Sequence, residues 1–307
     1  MIQLRNRTSC VLIALLIAAV APTRADEVVI TPVQDGCIGT FYQAINEGTC
    51  SNAGTYLFVG STQVAGPRRV LMMFDVASNV PAGATIDAVE LSLFLDRAPP
   101  GGPDIDLGLH PLNADWGEGA SSSDGKGEGG FLSTATPGDV TWVYRFYPDV
   151  SWTNIGGDFD ATASATTTVT TTLGDFVWNT TPDLVADVQG WLDNPSTNFG
   201  WMLKRPDDNV MPATGSARRF FAREVTVASR RPRLRITFTP GTGGCSGDLG
   251  DANGDGDIDG LDVQAFVECA TSIAIPTLPC ACADVNDDSV VDVADVAMFA
   301  QLLLAGN

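Results

Sequence analysis

IDAVELSLFL, residues 86–95, sets Val89, Leu91, Leu93 and Leu95 two positions apart, with Glu90 and Ser92 between them. Successive side chains of a strand point to opposite faces, so this run predicts a strand with one face on a core and the other toward water. Working outward, TYLFVG (55–60), RRVLMMFD (68–75), DIDLGLHPL (104–112), WVYRFY (142–147), SATTTVTTT (164–172), GDFVWN (174–179), GWMLKR (200–205), ARRFFARE (217–224) and RPRLRITF (231–238) are also strand-length runs rich in β-branched and aromatic residues. NVPAGA (79–84) and APPGGP (98–103) are turn chemistry between them. One segment breaks the pattern. TPDLVADVQGWLDN (181–194) places Leu184, Val185, Val188, Trp191 and Leu192 at helical spacing, with Pro182 near its start and Pro195 just past its end. About ten strands with one inserted helix predict a mainly β fold, a jelly-roll-like antiparallel sandwich.

The sandwich is expected to span residues 26–239. Before it, Arg5 and Arg7 precede an apolar core from Cys10 to Val20, and Thr23 and Ala25 stand at the positions of a cleavage site. Residues 1–25 therefore read as a signal peptide, which predicts a secreted, extracellular or cell-surface protein. No later run approaches the roughly 18 apolar residues of a membrane helix. After the sandwich, PGTGG (240–244) opens a glycine-rich linker over 240–247, and a small module fills 248–307.

Charge is unevenly shared. From Cys245 onward there are 12 acidic residues and no Lys or Arg, within a chain of net charge −20. That balance excludes nucleic acid as a partner, because phosphate contacts need clustered cations. Six cysteines remain once Cys10 leaves with the signal peptide, an even set in an oxidising compartment. Cys37 with Cys50 is the expected pair in the sandwich; Cys245, Cys269, Cys280 and Cys282 are expected to pair among themselves.

The tail contains DANGDGDIDGLD (251–262), five aspartates and an asparagine in twelve positions. Numbered from Asp251, oxygen donors fall at positions 1, 3, 5, 9 and 12: Asp251, Asn253, Asp255, Asp259 and Asp262. Asp257 at position 7 offers its carbonyl, Gly256 at position 6 allows the turn, and Ile258 at position 8 is the apolar plug. This is the EF-hand ligand pattern for calcium, with Asp in place of Glu at position 12. The pattern returns in DVNDDSVVDVAD (284–295), with Asp284, Asn286, Asp288, Asp292 and Asp295 as side-chain donors, Val290 as the carbonyl and Val291 as the plug. Ser289 replaces the glycine. Each loop runs into a helical stretch, LDVQAFVECA and DVADVAMFAQLLL. Two calcium ions are the expected cofactors, their binding coupled to folding.

With its loop–helix pair repeated at this spacing, residues 248–304 resemble a type I dockerin. That resemblance implies a module that docks onto a cohesin-like protein partner, with calcium holding both units. The family's Ser-Thr recognition pair at positions 10 and 11 falls here on Gly260–Leu261 and Val293–Ala294, and neither matches.

Several segments of the first domain resemble DNRLRE-type β-sandwich domains, some of which are classed as carbohydrate-binding modules. They are RRVLMMFDVASNVPAGATIDAVELSL (68–93), LNADWGEG (112–119), DVQGWLDNPSTNFGWMLK (187–204) and FFAREVTVASRRPRLRITF (220–238). The resemblance implies extracellular polysaccharide as a partner. Trp116 and Trp152, flanked by glycine and polar residues, are the tryptophans expected at the surface, where their rings would stack on sugars. Nine basic residues fall between 204 and 235, among them Arg219, Arg223, Arg231, Arg233 and Arg235. If their strands are neighbours, a basic stripe results, with Arg219 and Arg223 as candidate contacts to a carboxylated or sulfated polymer. The same residues would otherwise balance the domain's own acids.

Catalysis has few parts. His110 is the only histidine, and there is no Gly-x-Ser-x-Gly elbow. Asp115 and Glu118 are a carboxylate pair in sequence, as a glycosidase needs, but they lie in a turn-like setting. The expectation is a non-catalytic protein. The alternatives are a structural surface or matrix protein, or a polysaccharide-degrading enzyme. The glycine-rich stretch GEGASSSDGKGEGG (117–130) reads as an exposed loop, either functional or a bare insertion.

Overall fold

The computed structural model describes residues 25–40, 49–61, 66–122, 133–208, 215–239, 249–253, 256–271, 280–286 and 290–305, with 49–51 by backbone only. The expected signal peptide and the 240–247 linker lie outside the described residues, apart from Ala25. So do most of the 117–130 loop and the ligand candidates Asp255 and Asp288.

The described chain is mainly β. Its strands are β1 (Asp26–Ile30), β2 (Gln34–Gly39), β3 (Thr49–Ser51), β4 (Tyr56–Val59), β5 (Arg68–Met73), β6 (Thr85–Arg97) and β7 (Ile105–Pro111), then β8 (Tyr144–Phe146), β9 (Val150–Ser151), β10 (Ala165–Val169), β11 (Gly174–Trp178), β12 (Trp201–Lys204), β13 (Arg218–Phe221) and β14 (Arg233–Thr239). The helices are α1 (Pro182–Asp193), α2 (Asp262–Thr271) and α3 (Val296–Ala305). Every run read as a strand is one. The four missed are β1, β2, β3 and the two-residue β9, all short or poor in strand-forming residues.

Two six-stranded antiparallel sheets form the body. The first runs β1-β14-β6-β13-β4, with β11 also paired to β6; the second runs β10-β7-β12-β5-β2-β3. As its alternation predicts, β6 buries Ile86, Val89, Leu91, Leu93 and Leu95. These face β14 residues of the same kind in register, Leu234 against Leu91 and Ile236 against Val89. Val70 and Met72 of β5, Trp201 and Leu203 of β12 and Leu107 and Leu109 of β7 join them from the second sheet in one hydrophobic cluster. Helix α1 closes this core with Leu184, Val188, Trp191 and Leu192. Thr181 caps it, its hydroxyl accepting from the Leu184 amide at 3.0 Å, and Pro182 stands in the first turn.

The second sheet is buried on both faces. Arg68 through Met72 of β5 are all buried, so Leu71 points away from the main core. With Ile38 and Met202 it packs against Leu112, Trp116, Val140, Trp142 and Trp152. Residues 112–122 and 133–159 therefore form a cover over this sheet, and this overturns one expectation. Trp116 and Trp152 are not surface residues: they are 3% and 4% exposed. The Trp116 indole donates to the Phe199 carbonyl at 3.0 Å and that of Trp152 to the Thr141 carbonyl at 3.0 Å. A strand apolar on both faces needs a second apolar partner, and these rings supply it.

In the tail, α2 and α3 meet through Phe266 and Phe299, stacked 4.2 Å apart at 9°. Ala252, Cys269, Ala283, Val285 and Val291 complete this third cluster. Cys269 and Cys280 form a disulfide as expected. Cys37 and Cys282 each take part in a further disulfide; the expected roles of Cys50 and Cys245 lie outside the described side chains.

Candidate functional site

The two tail loops share one hydrogen-bond plan. Asp262, at position 12 of the first loop, has no exposed surface. Its Oδ1 accepts from the Asn253 amide at 3.0 Å and its Oδ2 from the Asp259 amide at 2.8 Å. In the second loop Asp295, equally buried, accepts from Asn286 at 3.0 Å and from Asp292 at 2.9 Å. Positions 3 and 9 are thereby tied to position 12 in both loops. Asp259 and Asp292 repeat each other too, accepting from Leu261 at 2.7 Å and Ala294 at 2.6 Å. Asp251 takes the Gly256 amide at 3.0 Å, and Gly256 has φ +95°, the left-handed turn that position 6 requires.

Asp251, Asp262, Asp284 and Asp295 are all buried, in a module that carries no lysine or arginine. Backbone amides satisfy some of their oxygens but neutralise no charge. An all-oxygen donor set of this composition fits a hard divalent cation and matches the calcium pattern in spacing. Of the remaining first-loop candidates, Asp257 is exposed and Asp259 half-buried; in the second, Val290 and Asp292 are exposed. Between the loops, Leu261 is 68% exposed and Val293 84% exposed, at the positions read as recognition positions.

No protein-family model matches the chain, and no curated protein matches it in sequence. The sandwich is therefore read from its own geometry.

The basic stripe does not form. Strand β6 lies between β13 and β14, and its acids break the row. The Arg219 guanidinium grips Asp96 of β6, with Nε at 2.8 Å from Oδ2, and its carbon lies 4.0 Å from the centre of the Tyr56 ring. Arg235 pairs with Glu27 at 3.0 Å, Arg233 with Asp175 at 3.2 Å, and Arg223 with Glu118. Arg218 is buried and donates to the carbonyls of Thr170, Pro103 and Val169. These arginines balance the domain's own acids or cap its backbone.

What the sequence reading missed is an aromatic group on the outer face of the first sheet. Tyr56 stacks on Phe221 at 5.5 Å, and Phe94 meets Phe221 at 5.8 Å. Arg230 lies over Phe94 at 5.1 Å and Arg219 over Tyr56. Tyr56 and Phe94 are half-buried, leaving part of each ring open. The signal was present in the strand alternation: Phe94 breaks the polar face of β6 and lies opposite Leu93 and Leu95.

The carboxylate pair considered for hydrolysis is divided between two arginines, Asp115 to Arg145 and Glu118 to Arg223. A groove beside α1 is lined by Asp160, Thr162, Ser164, Asp183 and Asp187. There Asp187 holds the Trp201 indole at 2.7 Å, and burial pushes its carboxyl above the usual range. That is a packing role. His110 is buried, its Nδ1 donating to the Asp160 carbonyl at 2.8 Å, edge-on to Phe159.

Proposed function

We propose that this is a secreted, non-catalytic adhesion protein, in which a dockerin-like tail holds two calcium ions and docks to a protein partner. The observation that carries the reading is the duplicated closure of the two loops by Asp262 and Asp295. Four buried carboxylates with no cation in the module need an ion, and the spacing names calcium. Gly260–Leu261 and Val293–Ala294 stand where cellulosomal dockerins carry their hydroxyl pairs, and with Leu261 and Val293 exposed the tail meets its partner through apolar contact. Isothermal titration of the full chain with calcium tests the reading. Asp262→Ala and Asp295→Ala should each remove one bound ion; a titration unchanged by both substitutions would refute it.

A second element of the reading concerns the body, taken as a jelly-roll-like module of the DNRLRE carbohydrate-binding kind. The support is the Tyr56–Phe94–Phe221 group, whose open ring faces suit stacking on sugars, with Arg219 and Arg230 beside them. Trp116 and Trp152 have no part in it, and Arg223 is left out because it is engaged with Glu118. Affinity electrophoresis of the full chain through gels of alginate, sulfated fucan, pectin, xylan and cellulose derivatives is the test. Retardation by one polymer, lost on Tyr56→Ala and Phe94→Ala, is expected. A folded sample that no gel retards would leave the body a structural element.

A further inference from the structure

A third carboxylate cluster, outside the tail loops, lies in the β domain. Asp35 on β2, Glu118 in the cover and Glu224 just past β13 bring oxygens within 4.8 Å of one another. Two oxygens that each lie about 2.4 Å from one calcium ion are at most about 4.8 Å apart, a limit that these three oxygens meet. Asp35 has no exposed surface. Its amide donates to Glu118 Oε1 at 2.9 Å, and the Arg223 amide donates to its Oδ2 at 2.8 Å. Arg223 also reaches Glu118 at 3.0 Å and Glu224 Oε1 at 3.1 Å. Arg223 thus serves all three carboxylates, Glu118 and Glu224 through its guanidinium and Asp35 through its backbone amide.

After these contacts, Asp35 Oδ1 and Glu224 Oε2 remain buried with no hydrogen-bond partner among the described residues. A buried acceptor left unmade is costly, and two facing carboxylate oxygens repel besides. Burial raises the Asp35 carboxyl well above its ordinary range and lifts Glu224 as well. The geometry admits two remedies, a shared proton or a bound cation. All three donors are oxygen, with no cysteine or histidine in the cluster, which selects a hard ion over zinc or copper.

We propose that Asp35, Glu118 and Glu224 form a calcium site within the sandwich, separate from the two loops of the tail. The ion ties together three elements remote in sequence: β2 of the second sheet, the cover over that sheet, and the end of β13 in the first. It acts as a clip across layers that the Arg223 and Asp35 hydrogen bonds already join at this corner.

Terbium is the probe, because it occupies calcium sites and emits when a nearby tryptophan is excited. Trp116 is two residues from Glu118, within about 7 Å by backbone reach. The tail contains neither tryptophan nor tyrosine. Sensitised emission from the full chain therefore reports the sandwich. The expected result is saturable emission, displaced by calcium, unchanged in Asp262→Asn/Asp295→Asn, and abolished in Asp35→Asn and Glu224→Gln. Glu224 is only half-buried, so its amide variant keeps the test open should Asp35→Asn fail to fold; near-ultraviolet dichroism of the tryptophans checks both. Absence of sensitised emission from the folded wild type would overturn the site, as would emission that survives Glu224→Gln, leaving the shared proton as the remedy. Emission lost in the tail variant instead would place the ion in the loops and overturn it too. Calorimetry unchanged by the tail substitutions, with the sandwich emission intact, would count against the loop reading alone.

Discussion

Phe266 of α2 and Phe299 of α3 lie face to face, 4.2 Å between ring centres and 9° between planes, and join the two loop–helix units of the tail. Each follows the closing aspartate of its loop by four residues, so one helical turn connects each loop to the shared core. Whatever orders one loop is thereby coupled to the other.

Truncating either ring should open the whole tail. Phe266 and Phe299 are each 4% exposed, and Phe→Ala in a core costs about 3–5 kcal/mol, comparable with the full stability of a module this small. Hydrogen exchange should show α2 and α3 losing protection together in either variant. Protection lost in one helix alone would mean the units are independent.

Chelation should separate the tail from the body. Calcium removal is expected to melt α2 and α3, because the buried carboxylates of Asp251, Asp262, Asp284 and Asp295 then have no counter-charge. Tryptophan near-ultraviolet dichroism should persist, since all six tryptophans belong to the sandwich. Far-ultraviolet helical signal that does not fall with a chelator would argue against calcium in the loops.

Arg69 and Asp208 form a buried pair that should tolerate no single loss. Arg69 Nε lies 2.6 Å from Asp208 Oδ2 and its second nitrogen 2.9 Å from Oδ1, with the guanidinium over Trp142 at 4.6 Å. Arg69→Ala leaves the Asp208 carboxylate, with almost no exposure, only Lys204 at 3.9 Å and should cost about 3–5 kcal/mol in denaturant unfolding. A loss below about 1 kcal/mol would show the pair to be loosely held.

His110 should titrate below the ordinary histidine value. Burial is the main cause, and the nearby Lys204 and Arg69 charges add to it, against the opposing effects of its bond to the Asp160 carbonyl and of the Asp208 charge. A base whose folded pKa is lowered contributes stability that is present above the unfolded value, about 6.5, and is lost as pH falls below it. As the chain's only histidine, it gives a single imidazole signal in proton NMR. A midpoint at or above 6.5 would contradict the buried, neutral ring.

The parts legible in the sequence were those set by local rules. Period-two alternation in IDAVELSLFL placed β6 and its core face, helical spacing placed α1, and the spacing of 251–262 and 284–295 marked two segments that close on Asp262 and Asp295 in the same way. Strands are read from their own side chains, and a calcium loop is a contiguous segment, so neither needs a distant partner to be recognised. Strand order, by contrast, is a property of pairing. That order put β6 between β13 and β14 and set Asp96 and Glu90 among the arginines, so the basic stripe became a row of internal ion pairs.

Burial of Trp116 and Trp152 was likewise decided by the second sheet. Glycine and polar neighbours gave those rings a surface-like setting, but the continuous apolar run VLMM of β5 required a cover on its far face, and the rings met that need. The acidic cluster lay furthest from sequence reasoning. Asp35, Glu118 and Glu224 belong to no motif, since each comes from a different stretch of chain. By itself, then, the sequence determined the elements and the contiguous loops, because local backbone chemistry specifies them. Only the tertiary structure decided which charges meet and which rings are hidden, because those depend on long-range pairing and on the two-sided burial of a central sheet.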